Sequence, residues 1–243
     1  MKILLTSGGT KVPIDEVRSI TNMSSGTFGA KIGREILDQR NDLIFLTHKD
    51  GKTPMKIEVN LLDGGLDRVA AKIYWAKSRR NNYKEITYNT FDDYYQQLGG
   101  IVLDPIDRID AILLGAAVSD YIVKNPARGK VRTSAQMNIE LEPTPKLISK
   151  IRKEWNYQGI LVGFKLLVGS TKSDLIDAAR KSVIENGCDF VIANDLRDIK
   201  AGNHRAILVF KDVDYVVSKE EVVSEIVYNI KKLYKNRIES HAP

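Results

Sequence analysis

Four short apolar runs in this chain each stop at a cluster of small, polar or charged residues. The clusters are Ser7-Gly8-Gly9-Thr10, Gly115–Asp120, Gly163–Lys165 and Asn194-Asp195. Stretches with helical periodicity lie between the runs. In residues 27–39, for example, Phe28, Ile32 and Ile36 recur every four positions and so share one helix face. Buried strands alternating with amphipathic helices predict an α/β fold: a Rossmann-like, largely parallel sheet with helices on both faces. Ligands of such sheets bind at the carboxyl ends of the strands. The four clusters fall at those ends, where bland loops would not need such residues together.

The same reading predicts strands at Lys2–Thr6, Leu43–Thr47, Lys84–Asn89, Asp110–Ala117, Ile160–Lys165, Asp189–Ala193 and Ala206–Phe210. Helices are expected from Phe91, broken at Gly99-Gly100, and from Pro145 to Trp155. Further helices are expected over 171–186, with Thr171 as N-cap, and over 218–238, with Ser218 and Glu221 spaced as a capping box. Leu66, Val69, Ala70, Ile73 and Ala76 suggest one more helix in the weakly patterned stretch 49–90. Residues 121–142 form an excursion from a single domain spanning 1–243. Its first part is a basic, aperiodic loop carrying Lys124, Arg128, Lys130 and Arg132, read as a lid. Met137–Leu141 alternates like an edge strand.

Charge and cysteine content narrow the function classes. The net charge of +6 comes from 37 Lys+Arg interleaved with 31 Asp+Glu. That pattern fits a solvated surface attracting small anions and gives no reason to expect a nucleic-acid partner. No apolar run approaches the roughly 18–20 residues a membrane span needs. Residues 1–20 lack the zones of a signal peptide, so a cytoplasmic protein is expected. Cys188, the only cysteine, allows no intrachain disulfide and sits beside an apolar run, where it is expected to pack in the core.

The chemistry on offer is phosphate binding. Ser7-Gly8-Gly9-Thr10, and then Asn22-Met23-Ser24-Ser25-Gly26-Thr27-Phe28-Gly29 opening a helix, let backbone N–H groups approach an anion. The spacing matches neither a P-loop nor a dinucleotide fingerprint. His48, His204 and His241 are scattered and make no metal motif, and no Ser/His/Asp spacing is present. No metal ligands are assigned.

Six motifs occur in order: Thr6-Ser7-Gly8-Gly9-Thr10; Ile14-Asp15-x-Val17-Arg18-x-Ile20-Thr21-Asn22-x-Ser24-Ser25-Gly26; Ala116-Ala117-Val118-Ser119-Asp120-Tyr121; Gly129-Lys130; Gly163-Phe164-Lys165-Leu166; and Ala193-Asn194-Asp195. Together they resemble phosphopantothenoylcysteine synthetase, the phosphopantothenate–cysteine ligase of coenzyme A biosynthesis, in its stand-alone bacterial form. The resemblance implies a carboxylate of 4′-phosphopantothenate activated by a nucleoside triphosphate with Mg²⁺. The acyl-nucleotide so formed would be captured by the amine of L-cysteine. It implies a homodimer.

Carried over by motif, the resemblance implies Asn22 and Lys130 as catalytic residues, the first on the acyl-nucleotide and the second on developing phosphate charge. Gly8, Ser24, Gly26, Gly29, Asp120, Phe164 and Asn194 would bind the nucleotide, and Ala116 and Ala117 the pantothenate. Ser182 and Asn186 stand where fused bacterial enzymes carry lysines. CTP is expected because the overall pattern resembles stand-alone bacterial enzymes, and Asn186 and Lys181 could read a pyrimidine; ATP stays open because Gly-Phe-Lys-Leu is nearer the eukaryotic, ATP-using pattern. Two other readings stay open: a non-catalytic Rossmann-like nucleotide-binding protein, and an NAD(P)-linked reductase. Thr47-His48 after the second strand, in place of an acidic residue, argues against the reductase.

Overall fold

Strand runs that are apolar on both faces can be satisfied only inside a sheet covered on both sides, and here they are. The computed structural model describes residues 1–56, 78–133, 136–203 and 205–240. In chain order the elements are β1 (Lys2–Ser7), β2 (Lys11–Pro13), β3 (Ser19–Thr21), α1 (Thr27–Asp38), β4 (Asp42–His48), β5 (Tyr83–Tyr88), α2 (Phe91–Val102), β6 (Ala111–Leu114), β7 (Tyr121–Val123) and β8 (Leu141–Pro143). They continue with α3 (Leu147–Lys153), β9 (Ile160–Leu167), α4 (Lys172–Asn186), β10 (Phe190–Asp195), α5 (Leu196–Lys200), β11 (Ala206–Val209), β12 (Asp214–Val217) and α6 (Val222–Ser240). The expected helix near Leu66–Ala76 lies outside the described residues.

The central sheet has eight strands in the order β12-β11-β10-β9-β6-β1-β4-β5. From β5 to β10 every pairing is parallel, and β11 and β12 add an antiparallel edge. β1 is central, and the chain first works outward through β4 and β5. It then crosses back to the other side of β1, through β6 and β9. This reversal at the β1–β6 boundary is the topological switch point, where ligands of open α/β sheets bind.

Each face has its own apolar core. On one, Ile32, Ile36 and Leu37 of α1 and Ile226, Val227 and Ile230 of α6 pack on Ile3, Leu5, Phe45, Val162 and Ile192. On the other, Tyr94 and Leu98 of α2, Leu147 and Ile151 of α3, and Leu175 and Ala179 of α4 pack on Leu4, Ile44, Leu161 and Val191. At the amino ends of the strands Asp189 accepts hydrogen bonds from the Leu161 amide (2.8 Å), from Arg152 (3.1 Å) and from Arg237. That one carboxylate fastens α3, β9 and α6 to the start of β10.

Several expectations need correction. The strand after Asp110 stops at Leu114, and beyond it Ala117 meets Gly9 only as an isolated parallel bridge in the same register. β9 runs through Gly163–Lys165 to Leu167, so that cluster is inside the strand. α2 continues past Gly99-Gly100 to Val102, with the Leu103 amide still bonded back to Gly99 O at 3.0 Å and the Trp155 ring beside Gly99. Met137–Leu141 is not a strand. β8 begins at Leu141 and pairs antiparallel with β7, making the excursion a ribbon off the main sheet. α3 begins two residues after Pro145. β2, β3, α5 and β12 carry no strong periodicity and were not anticipated.

The caps follow the sequence. Thr171 accepts from the Asp174 amide and completes a capping box at α4. Ser218 accepts from the Glu221 amide at 3.3 Å ahead of α6. Cys188 is buried in the core as expected.

Candidate active site

The backbone at the switch point is locked before any side chain is considered. Beyond the end of β1, Gly8 O accepts from the Ala117 amide at 2.7 Å, and the Thr10 amide donates to Ala117 O at 3.3 Å. Thr6 Oγ1 accepts from the Ala116 amide (3.1 Å) and from the Tyr94 hydroxyl (3.2 Å), and the Tyr88 hydroxyl donates to Ser7 O at 2.7 Å. Burial raises the pKa of both tyrosines, so each stays a hydrogen-bond donor. Gly8, Ala116 and Ala117 are thereby brought together on adjoining strand ends.

Gly8 adopts φ +87°, and a Cβ there would meet the His48 Cβ at 2.8 Å, so glycine is required on two counts. α1 starts directly over this point. Gly26 is its N-cap at φ 74°, offers no side-chain cap, and leaves a first turn without acidic residues. The positive end of the helix dipole therefore faces the end of β1, a favourable place for phosphate. Ser7 Oγ donates to Gly26 O at 3.2 Å and fixes the junction.

Asn22 closes the site from the far side. It follows β3, and its Nδ2 donates to Val118 O at 3.1 Å, so the arm 19–22 is tied to the end of β6. Gly9 faces the Asn22 carbonyl so closely that a Cβ would come within 2.4 Å of the oxygen. A cleft of about 260 Å³ is lined by Gly9, Lys11, Asn22, Ser24, His48 and Asp50, among others. Asn22 and Ser24 thus meet as expected, while Lys11, His48 and Asp50 were missed. The position of His48 at the carboxyl end of β4 was the available signal.

His48 is nearly buried and its tautomer is set by its partners. The Asp50 amide donates to Nδ1 at 3.1 Å, so the ring proton is on Nε2, which donates to Asn89 Oδ1 at 3.2 Å. Burial first, and then the neighbouring Lys11 charge, hold its pKa below the ordinary histidine value. Lys11 itself pairs with Asp50 at 3.2 Å.

Phe164 of β9 packs edge-on to Phe28 in the first turn of α1, with ring centroids 6.2 Å apart, and lies against Gly115. Asn194 of β10 shares the sheet face of Phe190 and Ile192 by strand alternation, and Ile192 pairs in register with Phe164. The Asn194 Oδ1 is buried with no hydrogen-bond partner among the described residues. Asp120 is exposed just beyond Ser119, whose amide donates to Thr10 Oγ1 at 2.9 Å. Lys130 is exposed on the lid, and its side chain makes no ion pair among the described residues.

One expected pair of base-reading side chains is elsewhere. Asn186 is buried, with its Nδ2 bonded to Ser182 O (2.9 Å) and Ser182 Oγ (3.0 Å) inside its own helix. Lys181 is largely exposed and faces Glu185 at 3.7 Å. α4 packs on the sheet face opposite to α1, so the neighbourhood of α1 and Phe164 is out of its reach.

No group of three or more His, Cys, Asp or Glu that could hold a metal exists among the described residues. No helix among them is long and apolar enough to cross a membrane.

Comparison with known proteins adds relatives to this geometry. Residues 1–63 and 86–234 match the family described as DNA/pantothenate metabolism flavoprotein C-terminal domain. The chain is 31% identical over 215 residues to the coenzyme A biosynthesis bifunctional protein CoaBC of Thermococcus kodakarensis, covering 87% of this chain but 45% of that protein. It is 28% identical to the phosphopantothenate–cysteine ligase of Mus musculus, covering 93% of this chain and 81% of the relative. It therefore spans about half the length of the bifunctional relative. The crystal structure of the DNA/pantothenate metabolism flavoprotein from Streptococcus pneumoniae superposes with a TM-score of 0.77 at 31% identity, covering 96% of this chain and 99% of that one. The motif resemblance to phosphopantothenoylcysteine synthetase thus holds at the level of family, and the chain belongs to the DNA/pantothenate metabolism flavoprotein C-terminal domain family.

Proposed function

We propose that this protein joins 4′-phosphopantothenate to L-cysteine at the expense of a nucleoside triphosphate. The observation that carries the reading is the switch-point site. An N-terminus of α1 suited to phosphate, paired strand ends with the small residues Ala116 and Ala117, and the Asn22 arm converge there, in a family whose relatives include a phosphopantothenate–cysteine ligase.

In this reading a carboxylate oxygen of phosphopantothenate attacks the α-phosphorus, the bond to the β-phosphate breaks, and pyrophosphate leaves. The cysteine nitrogen then attacks the acyl carbon, loses a proton, and displaces the nucleoside monophosphate. Gly8, Ser24, Gly26 and Gly29 cradle the phosphates through backbone N–H groups and the α1 dipole. Lys130 is brought by the lid to the charge that grows on the phosphate. Asn22 keeps one amide hydrogen on Val118 and uses its remaining hydrogen and carbonyl on the acyl-nucleotide. Ala116 and Ala117 leave room for the pantothenate. Phe164 packs near the base, and the unpartnered Asn194 carbonyl accepts a donor from the nucleotide.

Mg²⁺ would arrive with the triphosphate as its counter-ion. Asp120, an exposed carboxylate, would help hold it, and the ion would supply charge neutralisation on the phosphates. The nucleotide is proposed to be CTP, from the likeness of the motif set to stand-alone bacterial enzymes, with ATP as the alternative. The protein is proposed to act in the cytoplasm as a homodimer. Support for the dimer comes from the apolar side chains that the ribbon leaves in solvent: Tyr121, Met137, Ile139 and Leu141.

The deciding assay is pyrophosphate release with each nucleoside triphosphate. Release that needs both phosphopantothenate and one nucleotide supports the ligase. Nucleotide binding without release under any combination would leave a binding protein instead.

A further inference from the structure

The lid is held by one buried carboxylate. Asp15 lies in the turn between β2 and β3, and its side chain is fully shielded from solvent. Its Oδ1 accepts from the Val17 amide (2.9 Å) and the Arg18 amide (2.7 Å), closing the turn. Its Oδ2 accepts from Arg18 Nε (3.0 Å) and Nη2 (2.5 Å), and also from the Val131 amide, 116 residues away, at 3.1 Å. Arg18 Nη2 then donates to Val131 O at 2.8 Å, so both polar groups of Val131 are held. Two further bonds run beside this clamp: Glu16 amide to Gly129 O (3.3 Å) and Ala127 amide to Ile14 O (2.9 Å). Residues 127, 129 and 131 are pinned and Lys130 projects between pinned neighbours.

The same turn leads through β3 into Asn22. We propose that Asp15 is a positioning residue that sets Lys130 and Asn22 in one frame, by tying the lid loop 127–131 to the arm that ends in Asn22. Arg18 is neutralised within this clamp and serves as its second half. The catalytic part of the inference rests on the ligase reading, while the structural part does not.

The replacement Asp15→Asn puts an NH₂ group opposite the Val131 amide and the Arg18 guanidinium, donor against donor, and should open the clamp. Asp15→Ser keeps an oxygen for the turn amides but leaves Val131 N–H without its acceptor, so it separates the clamp from folding of the turn. Hydrogen exchange in peptides covering 127–133 should accelerate about tenfold or more in both variants, with β1 and β6 unchanged. In steady-state kinetics both should lose about 10–100-fold in kcat with KM little changed. Combined with Lys130→Ala they should lose less than the product of the two single losses, what remains being the part that Asp15 exerts through Asn22. Multiplicative losses in the double variants, or unchanged exchange in 127–133, would overturn the proposal. A wild-type protein without substrate-dependent pyrophosphate release would sink the ligase reading instead, and the exchange measurement would still decide whether Asp15 holds the lid.

Discussion

A methyl group placed on Gly29 would come within 2.3 Å of Ser7 Oγ and 2.7 Å of Ser7 Cβ. The second glycine of the SSG…G segment, in the first turn of α1, is therefore there because β1 and α1 touch at this point. Gly29→Ala should push the start of α1 away from the strand end. Overpacking of this kind typically costs about 1–3 kcal/mol. Denaturant unfolding should show a lower midpoint with the slope unchanged, and nucleotide affinity should fall with it. Wild-type stability would mean that the junction gives way without strain.

Lys130→Ala should leave folding intact and slow turnover. The side chain is exposed and makes no ion pair among the described residues, so stability has little to lose. Removing one preorganised charge-stabilising group lowers kcat by about 10²–10³-fold in comparable cases. Melting curves and saturating-substrate kinetics on the same preparation separate the two effects. Near-normal turnover would remove Lys130 from the mechanism.

Asn22→Asp should harm both half-reactions. The carboxylate places a negative charge beside a phosphate ester, and it loses the Nδ2 donor now used on Val118 O. Single-turnover nucleotide consumption, with and without cysteine, is the measurement. Equal rates to wild type in both would refute the role.

Acid should weaken the lid clamp only at low pH. The Arg18 guanidinium, and then the amides of Val17, Val131 and Arg18, hold the Asp15 carboxyl well below the usual carboxylate range. A depressed folded value stabilises the native state above the unfolded value of about 3.9, and that contribution is lost as pH falls from there toward the folded value. The stability gap between wild type and Asp15→Asn should be flat from pH 5 to 8 and shrink below about pH 4. A gap that instead changes between pH 6 and 8 would assign the effect to another group.

Cys188 should ignore thiol reagents in the folded protein. It is 6% exposed, and burial pushes its thiol up to about 12. Labelling at pH 8 should follow global unfolding; rapid labelling of native protein would contradict the core placement.

The parts of this fold that were legible in the sequence are those where one residue's chemistry is enough. Ile32 and Ile36 announce a helix face, Thr171 announces its own cap, and Gly8 and Gly26 announce a strand end and a helix start with open backbone. What escaped needed two distant residues at once. Gly99-Gly100 lies inside α2, with Gly99 on the side where Trp155, far along the chain, packs. The β7–β8 ribbon depends on Val123 finding Leu141. His48 carries no motif and lines the cleft only because β4 sets it against Gly8 while the arm 19–22 brings Asn22 to the same cleft. Asp15 and Arg18 were visible as a motif, but their bond to Val131 spans more than a hundred residues and leaves no local trace. Asn186 failed in the opposite way. The resemblance placed it where fused bacterial enzymes carry a lysine and implied a base reader, while its amide is consumed within its own helix.

The triple fastening of Asp189 at the amino ends of the strands has a consequence for how such a protein can change over time. The rivet and the workplace sit at opposite poles of the sheet, with whole strands between them. Substitutions around Gly9, Asn22, Phe164 or the ribbon can redraw what is recognised at one pole while the other keeps the strands in order. Durability and selectivity are in this way assigned to separate neighbourhoods, and each can drift without dragging the other along.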